Sequence, residues 1–333
     1  MRIDPIEHAD LVCGALEVEE AAEGVRCSRF NTTALELLED VPEEAAATAG
    51  IRVSLVTDSS HVMMRLQRDV DADAEPEPYQ VDVLVDRSEC HTYESDEDVG
   101  DFFFSLELEE DEEFGDHEIE IFLPHNTQVH IKELELDDGA LFRPLYPGDD
   151  RILFLGDGLV QGCGATSPLR STVSLLATEL RSDFLNWGLI GVALNSDLAR
   201  AALEAEWQTA IISAGISDYR LGRSADDFAA ELATMLDLLS TRSGVKLRVL
   251  SPVILPEVEG VANQAGYTLD DFRNAIAQVV ADMPHVTLLN GKEALGKGRK
   301  LYAPGESYFL SDRGMATLAD YLQRQLAPGV SAL

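Results

Sequence analysis

Apolar and polar residues alternate with a period of two through Ile51 to Leu55, Tyr79 to Val85, His117 to Leu123 and Val129 to Leu134. Such alternation predicts half-buried antiparallel strands, one face on a core and the other in water. Between them, Asp71 to Pro78 is rich in acid and proline and predicts a loop, and Glu107 to Asp116 carries an acidic run whose even members face water. The pattern changes after Pro144 to Asp150. Short apolar runs around Ile152, Leu185, Ala210, Val249 and Leu288 then alternate with stretches of helical period, at about Pro168 to Arg181, Ser196 to Glu204, Ala225 to Thr241, Leu269 to Asp282 and Asp312 to Gln325. Strand then helix, repeated, predicts a parallel sheet covered on both faces. The expected division is a β-rich domain over 1–146 and an α/β domain over 147–333, each long enough for its own core.

The first apolar run of the second half, Arg151-Ile-Leu-Phe-Leu-Gly156, stops at Gly156-Asp157-Gly158 before a helical pattern. A buried parallel strand feeding a helix through a turn of small residues is a place where ligands gather. The segment resembles block I of the SGNH (GDSL) hydrolases, whose strand ends in Gly-Asp-Ser with the serine as nucleophile; Gly158 stands at the serine. Asn186-Trp187-Gly188-Leu189-Ile190-Gly191 resembles block II, placing Gly191 at the glycine whose N–H serves the oxyanion hole. Ser213-Ala214-Gly215-Ile216-Ser217-Asp218 resembles block III, with Ser217 where the family has its oxyanion asparagine. Glu306 to Gly314 resembles block V, placing Glu306 at the aspartate and Phe309 at the histidine.

The resemblance implies a flavodoxin-like parallel sheet of about five strands for Ile152 to Leu326. It also implies a layout like that of two-domain carbohydrate esterases, in which an antiparallel, jelly-roll-like β-sandwich precedes the hydrolase domain. It leaves Gly158, Gly191, Ser217, Glu306 and Phe309 as vestigial catalytic positions, with no catalytic set among them. Acyl transfer by a hydroxyl needs a base within hydrogen-bond reach and donors aimed at the oxyanion. Gly158 has no hydroxyl and Phe309 no ring nitrogen, and members of such a unit act together, so losing two removes most of the rate. The N–H groups of Gly158 and Gly191 remain as donors for a carbonyl or small anion beside a helix N-terminus.

Three readings follow. The first is a catalytically silent member that keeps a pocket for a glycan, an acylated small molecule or a protein partner, with Asp157, Gly158, Gly191, Ser217 and Tyr308 as ligand-binding residues. The second is an active esterase or deacetylase with a displaced nucleophile, drawn from Cys163, Ser167, Ser213 or Ser217. The third is a structural subunit using the fold for assembly. His285, the histidine that follows block I, begins the run to Leu289 and is expected at the strand's N-terminal end, away from the site.

Charge sets the surroundings. The formal net charge is −36, and the cations are mostly arginine. The Debye length falls from ~10 Å near 0.1 M salt to ~3 Å near 1 M, so self-repulsion opposes folding in dilute buffer and a halophile's protein is the reading. Residues 1–146 hold 39 acids and 9 bases and residues 147–333 hold 22 and 16, net −30 and −6. A less acidic second half is consistent with an outer face covered by another protein or a second copy. Nucleic acid and anionic membranes are excluded as partners, because phosphate binding needs clustered Lys or Arg.

The first residues, Met1-Arg2-Ile3-Asp4-Pro5, open no apolar segment of leader length, and no run nears the ~20 apolar residues of a membrane span; the expected location is cytoplasmic. Cys13, Cys27, Cys90 and Cys163 lack metal-ligand spacing and read as small buried hydrophobes. His117, His125 and His130 read as surface or structural rather than metal-binding. No cofactor or metal is expected. Trp187 and Trp207 read as core, Tyr308 and Phe309 as pocket lining or packing beneath the last helix, and Asp157 as the residue that holds its turn through backbone amides. Ser311 or Asp312 caps the last helix.

Overall fold

The computed structural model describes residues 1–38, 42–68, 78–95, 100–108, 115–146, 148, 150–305 and 308–326. The predicted loop at Asp71–Pro78 and the acidic run at Glu107–Asp116 lie mostly outside these residues. The chain forms two compact units. The first comprises Met1–Phe30, Pro42–Pro147 and Ser167–Leu169; the second comprises Asn31–Val41, Gly148–Thr166 and Arg170–Leu333.

The first unit is a sandwich of two antiparallel sheets. In one, the strands run in the order Val12–Cys13, Arg52–Thr57, His117–Phe122, Gln80–Val85 and Glu89–Glu94, with Phe142–Pro144 also paired to Arg52–Thr57. In the other, the order is Glu17–Ala21, Gly24–Ser28, Val129–Leu136, His61–Arg68 and Asp101–Glu107. Alternate residues of both sheets, among them Val53, Leu55, Ile119 and Ile121 from one and Val62, Met64, Leu66 and Ile131 from the other, meet in one core. The period of two is what puts them on one face.

The expectation of half-buried strands fails for Arg52–Thr57, which is buried along its whole length. Its polar residues are accommodated by pairing: Arg52 Nε donates to Glu120 Oε2 at 2.8 Å, both side chains being buried. Asp82 on Gln80–Val85 accepts from Thr92 Oγ1 at 2.6 Å and from the Leu169 N–H at 2.7 Å. Alternation marks which face is apolar, but it does not reveal that the polar face finds partners. The strands Glu17–Ala21 and Gly24–Ser28 precede the region where strands were expected. They carry acid and arginine at partly exposed positions and a glycine-led turn.

His117 is buried, with Nδ1 2.7 Å from Asp86 Oδ2, and His125 and His130 are buried as well. The cysteines divide: Cys13 and Cys27 are buried, whereas Cys90 is exposed and Cys163 half-buried, which corrects the reading of all four as core residues. Burial pushes the Cys27 thiol up to about 12.

The second unit is a doubly wound α/β domain. Its strands are β1 (Arg151–Gly156), β2 (Asp183–Gly188), β3 (Thr209–Ser213), β4 (Lys246–Leu250) and β5 (Val286–Leu289), all parallel, in the order β2-β1-β3-β4-β5. That is the flavodoxin-like order, which places a topological switch point at the carboxyl ends of β1 and β3. The helices used below are α1 (Gly158–Gln161), α2 (Thr172–Leu180), α3 (Asp197–Ala202), α4 (Ile216–Arg220), α5 (Ala225–Ser240), α6 (Leu269–Ala281), α7 (Gly291–Ala294) and α8 (Asp312–Leu326). Ser171, Ser224 and Asn290 cap α2, α5 and α7 through their side chains, and Thr268 with Asp271 makes a capping box on α6, so each helix begins where a short polar residue satisfies its first amides. Trp187 and Trp207 are fully buried. No described helix is long and apolar enough to cross a membrane.

Candidate functional site

At the carboxyl end of β1 the chain turns into α1 without a connecting loop. Gly156 is required there, since a β-carbon would lie 2.6 Å from Val160 Cγ2 and 2.8 Å from the Ser213 carbonyl. Asp157 caps α1: one carboxyl oxygen, Oδ1, accepts from the Leu159 N–H at 3.0 Å. The other, Oδ2, is buried and has no hydrogen-bond partner among the described residues. Burial, helped by the charge of Asp218, pushes the carboxyl up to about 6, while the N–H groups of Leu159 and Ser217 pull the other way.

The segment after β2 is stitched onto α1. Asn186, fully buried, donates from Nδ2 to the Val160 carbonyl at 2.9 Å and accepts the Gly188 N–H at 3.0 Å. The Leu189 N–H reaches the Gly156 carbonyl at 3.0 Å, and the Ile190 N–H reaches Gln161 Oε1 at 2.9 Å. Gly188 rests directly on the backbone of Val160 and Gln161, an approach that no β-carbon allows.

This stitching lays the Ile190 side chain over Gly158. A β-carbon at 158 would stand 3.2 Å from Ile190 Cγ1 and 3.3 Å from Cys163 Sγ. Cys163 is held there by its own N–H, which donates to the Gly158 carbonyl at 2.8 Å. A side chain at residue 158 would therefore meet an aliphatic side chain and a thiol. Gly191, by contrast, sits exposed at φ +77 with open space on its α-carbon.

The segment of Phe309 closes on the same turn. Phe309 Cβ lies 2.9 Å from where a β-carbon would project at Gly164, whose φ of +95 already suits glycine alone. Tyr308 lies under the Arg220 guanidinium, 5.4 Å from the ring centre. Asp312 does not cap its helix. It accepts from the Thr166 N–H at 2.8 Å and from Thr166 Oγ1 at 2.7 Å, and Ser311 Oγ instead accepts the Gly314 N–H at 3.3 Å. Glu306 lies outside the described residues. His285 is exposed just before β5, with Nε2 2.7 Å from Ser240 Oγ, at the opposite end of the sheet from this turn.

At the end of β3, Gly215 (φ +100) starts α4 and Ser217 and Asp218 are buried behind it. Asp218 accepts the Leu194 N–H at 3.2 Å and Arg223 Nη1 at 3.0 Å, and Arg223 in turn donates to the Leu194 carbonyl at 3.0 Å. Burial raises the Asp218 carboxyl. Beneath the 192–195 loop is a small pocket of about 20 Å³, with polar residues Asp157, Asn195, Ser213, Ser217 and Asp218 among apolar walls that include Leu189, Val192, Leu198 and Met235. Of the predicted ligand residues it gathers Asp157 and Ser217; Gly158, Gly191 and Tyr308 are not in its wall. Ile190, Gln161 and Arg223 went unnoticed in the sequence, Ile190 because it fills a variable position of its motif.

Residues 154–317 match the model of the GDSL-like Lipase/Acylhydrolase family. No curated protein matches the chain by sequence. Among solved structures, the salicylyl-acyltransferase SsfX3 of a tetracycline biosynthetic pathway superposes with a TM-score of 0.82 at 22% identity, over 95% of this chain and 93% of that one. A GDSL-like lipase candidate from Bacteroides ovatus gives 0.76 at 15% identity over 95% and 94%. A family two carbohydrate esterase from Clostridium thermocellum, solved in complex with cellohexaose, gives 0.66 at 14% identity over 90% and 96%. At these identities the likeness is one of fold, and it extends over both units.

Proposed function

From the premise that residues 154–317 form a GDSL-like lipase/acylhydrolase domain, we propose that the protein is a catalytically silent member of that family. It binds an acylated or glycan ligand at the C-terminal edge of the sheet rather than cleaving one. The observation that carries this reading is the packing at Gly158: the residue has no nucleophile, and Ile190 and Cys163 occupy the space beside it. Phe309, at the position of the base, brings only carbon against Gly164. A nucleophile, a base and two aligned donors act as one unit, and here the first two are replaced by packing. Binding groups survive better: Gly191 is exposed with open space on its α-carbon, and Asp157, Gly158, Ser217 and Tyr308 complete the proposed ligand edge. The cellohexaose complex of the carbohydrate esterase and the acyltransferase activity named for SsfX3 supply the two ligand classes.

The test is hydrolysis of a panel of acetyl and short acyl esters in molar KCl, together with labelling by a serine-directed fluorophosphonate. The expected result is neither turnover nor labelling. Turnover abolished by a substitution beside Gly158 overturns the reading.

One observation favours a second reading. Cys163 Sγ stands 3.3 Å from the β-carbon position of residue 158, so a thiol lies close to where the family carries its hydroxyl. An active enzyme with Cys163 as displaced nucleophile predicts ester turnover that Cys163→Ala removes and a fluorophosphonate does not.

A further inference from the structure

Arginines that sink below the surface of the second unit find partners there. Arg151 pairs with Asp183, Arg223 with Asp218, and Arg273 with Glu259 and Asp270, while Arg242 donates to the Ala205 carbonyl and lies over the Trp207 ring. Arg248, in the middle of β4, differs. It is half-buried, and no carboxylate, carbonyl or ring among the described residues meets its guanidinium. Burial pulls that guanidinium below the usual arginine range, with no neighbouring charge acting on it. In a chain of 61 acids and 25 bases a carboxylate partner is readily supplied, yet β3, β4 and β5 hold none.

The strand register fixes what stands around it. Arg248 lies beside Ile211 of β3 and Thr287 of β5, and Lys246, two residues earlier, shares its face of the sheet. β5 is the edge strand, and both Thr287 and Lys246 are exposed, without side-chain partners among the described residues. Strands lie ~4.8 Å apart and alternate residues ~6.6 Å apart, so a guanidinium, an ammonium and a hydroxyl stand within reach of one small ion. α8 covers the middle of this face, where Leu318 and Leu322 line a small cavity with Phe154 and Leu250, whereas Thr287 at the edge is open to solvent.

A guanidinium and an ammonium are donors only, so the complementary ligand is an oxyanion. A planar carboxylate is used up by the arginine fork; a tetrahedral phosphate keeps oxygens for Lys246 and Thr287, and its two charges match two cations. Partial burial strengthens the pairing over that of an exposed arginine. Two cations suit a single phosphate group rather than a polyanion.

We propose that Arg248, Lys246 and Thr287 form a binding site for one phosphate group, carried by the free ion or by a phosphate monoester. The site starts at the amino end of β4, whereas the acyl or glycan ligand is placed at the carboxyl edge of the sheet. The two share no residue, so each is tested apart from the other.

The experiment is calorimetry on the whole protein in molar KCl near neutral pH, which screens attraction to the general surface, with inorganic phosphate, phenyl phosphate and acetate as probes. Phosphate is expected to bind at least tenfold more tightly than acetate. Arg248→Met, which keeps the packed stem, is expected to weaken phosphate binding at least tenfold. Without phosphate the same variant is expected to unfold no earlier than wild type, because it sheds a desolvated charge that has no partner. Thr287→Glu sets a carboxylate beside Arg248 across the strand pair, and is expected to raise the unfolding midpoint and abolish phosphate binding. Phenyl phosphate binding as tightly as the free ion assigns the site to monoesters, and binding of the free ion alone assigns it to phosphate itself. The proposal is overturned by no phosphate binding up to roughly 50 mM, by acetate binding as tightly as phosphate, by unchanged affinity in either variant, or by early unfolding of Arg248→Met in phosphate-free buffer.

Discussion

Ile190 lies against the α-carbon of Gly158, 3.2 Å from where a side chain at that residue would begin. The contact is side chain to backbone, and it is set by hydrogen bonds that precede it: Gln161 takes the Ile190 N–H, and Asn186 takes that of Gly188. The packing beside Gly158 is thus set by the hydrogen bonds of the segment that follows β2.

Restoring the serine should therefore strain the turn. Gly158→Ser is expected to destabilise the second unit by about 1–3 kcal/mol, the range for inserting a small group into a packed site. Ile190→Ala combined with it should recover part of that loss. Denaturant unfolding of the two single variants and the double variant in molar KCl gives the coupling; additive effects would mean that the two side chains do not compete for space.

Asn186 is a single residue holding two backbone segments. Asn186→Ala removes the donor to the Val160 carbonyl and the acceptor of the Gly188 N–H, at an expected cost of about 2–4 kcal/mol for two lost buried hydrogen bonds. Asn186→Asp, which keeps the acceptor but buries a carboxylate against the Val160 carbonyl, should cost at least as much as alanine near neutral pH and recover stability as pH falls, as read by unfolding midpoints.

Asp157 ties stability to pH with a definite sign. Its folded carboxyl sits at about 6, above the ~3.9 of an unfolded aspartate. Between those values the folded state holds the proton more tightly, so its contribution falls as pH rises through the window. Relative to wild type, Asp157→Asn should gain stability steadily from pH 4 to pH 7, by about 1–3 kcal/mol in all, the size of a two-unit shift. A difference that does not vary with pH would show that the carboxyl titrates normally.

Salt should act unequally on the two units. The first 146 residues carry −30 and the rest −6, while both tryptophans are buried in the second unit. Lowering KCl from about 2 M toward 0.1 M lengthens the screening distance from a few Å to ~10 Å, so amide hydrogen exchange of the sandwich strands, read by mass spectrometry, is expected to rise at higher salt than tryptophan fluorescence changes. Coincident transitions would mean that the units unfold together or that repulsion is evenly spread.

Much of the second unit was legible because its physics is local. Strands such as Ile152 to Leu155 are apolar throughout, the small residues Gly156 and Gly188 stand where backbones touch, and Ser224 and Thr268 announce helices. Gly158 and Phe309 stood out by lacking an atom. What could not be read was the filling: that Ile190 turns inward onto Gly158 depends on hydrogen bonds across 29 residues of sequence. The burial of both faces of Arg52–Thr57 was equally hidden, since it rests on Glu120 arriving from a strand 68 residues away. Cys90 and Cys163 show the same limit, as composition does not reveal which thiols reach the surface.

The bond from Asp312 to Thr166 spans 146 residues of chain, nearly the whole second unit. A nascent polypeptide leaving the ribosome thus carries β1 and α1 long before their clasp exists, and the edge around Gly158 acquires its final form only when α8 has emerged. Closure over so long a stretch of sequence is a slow step to form, and it leaves the newly made β1 waiting on the last described helix.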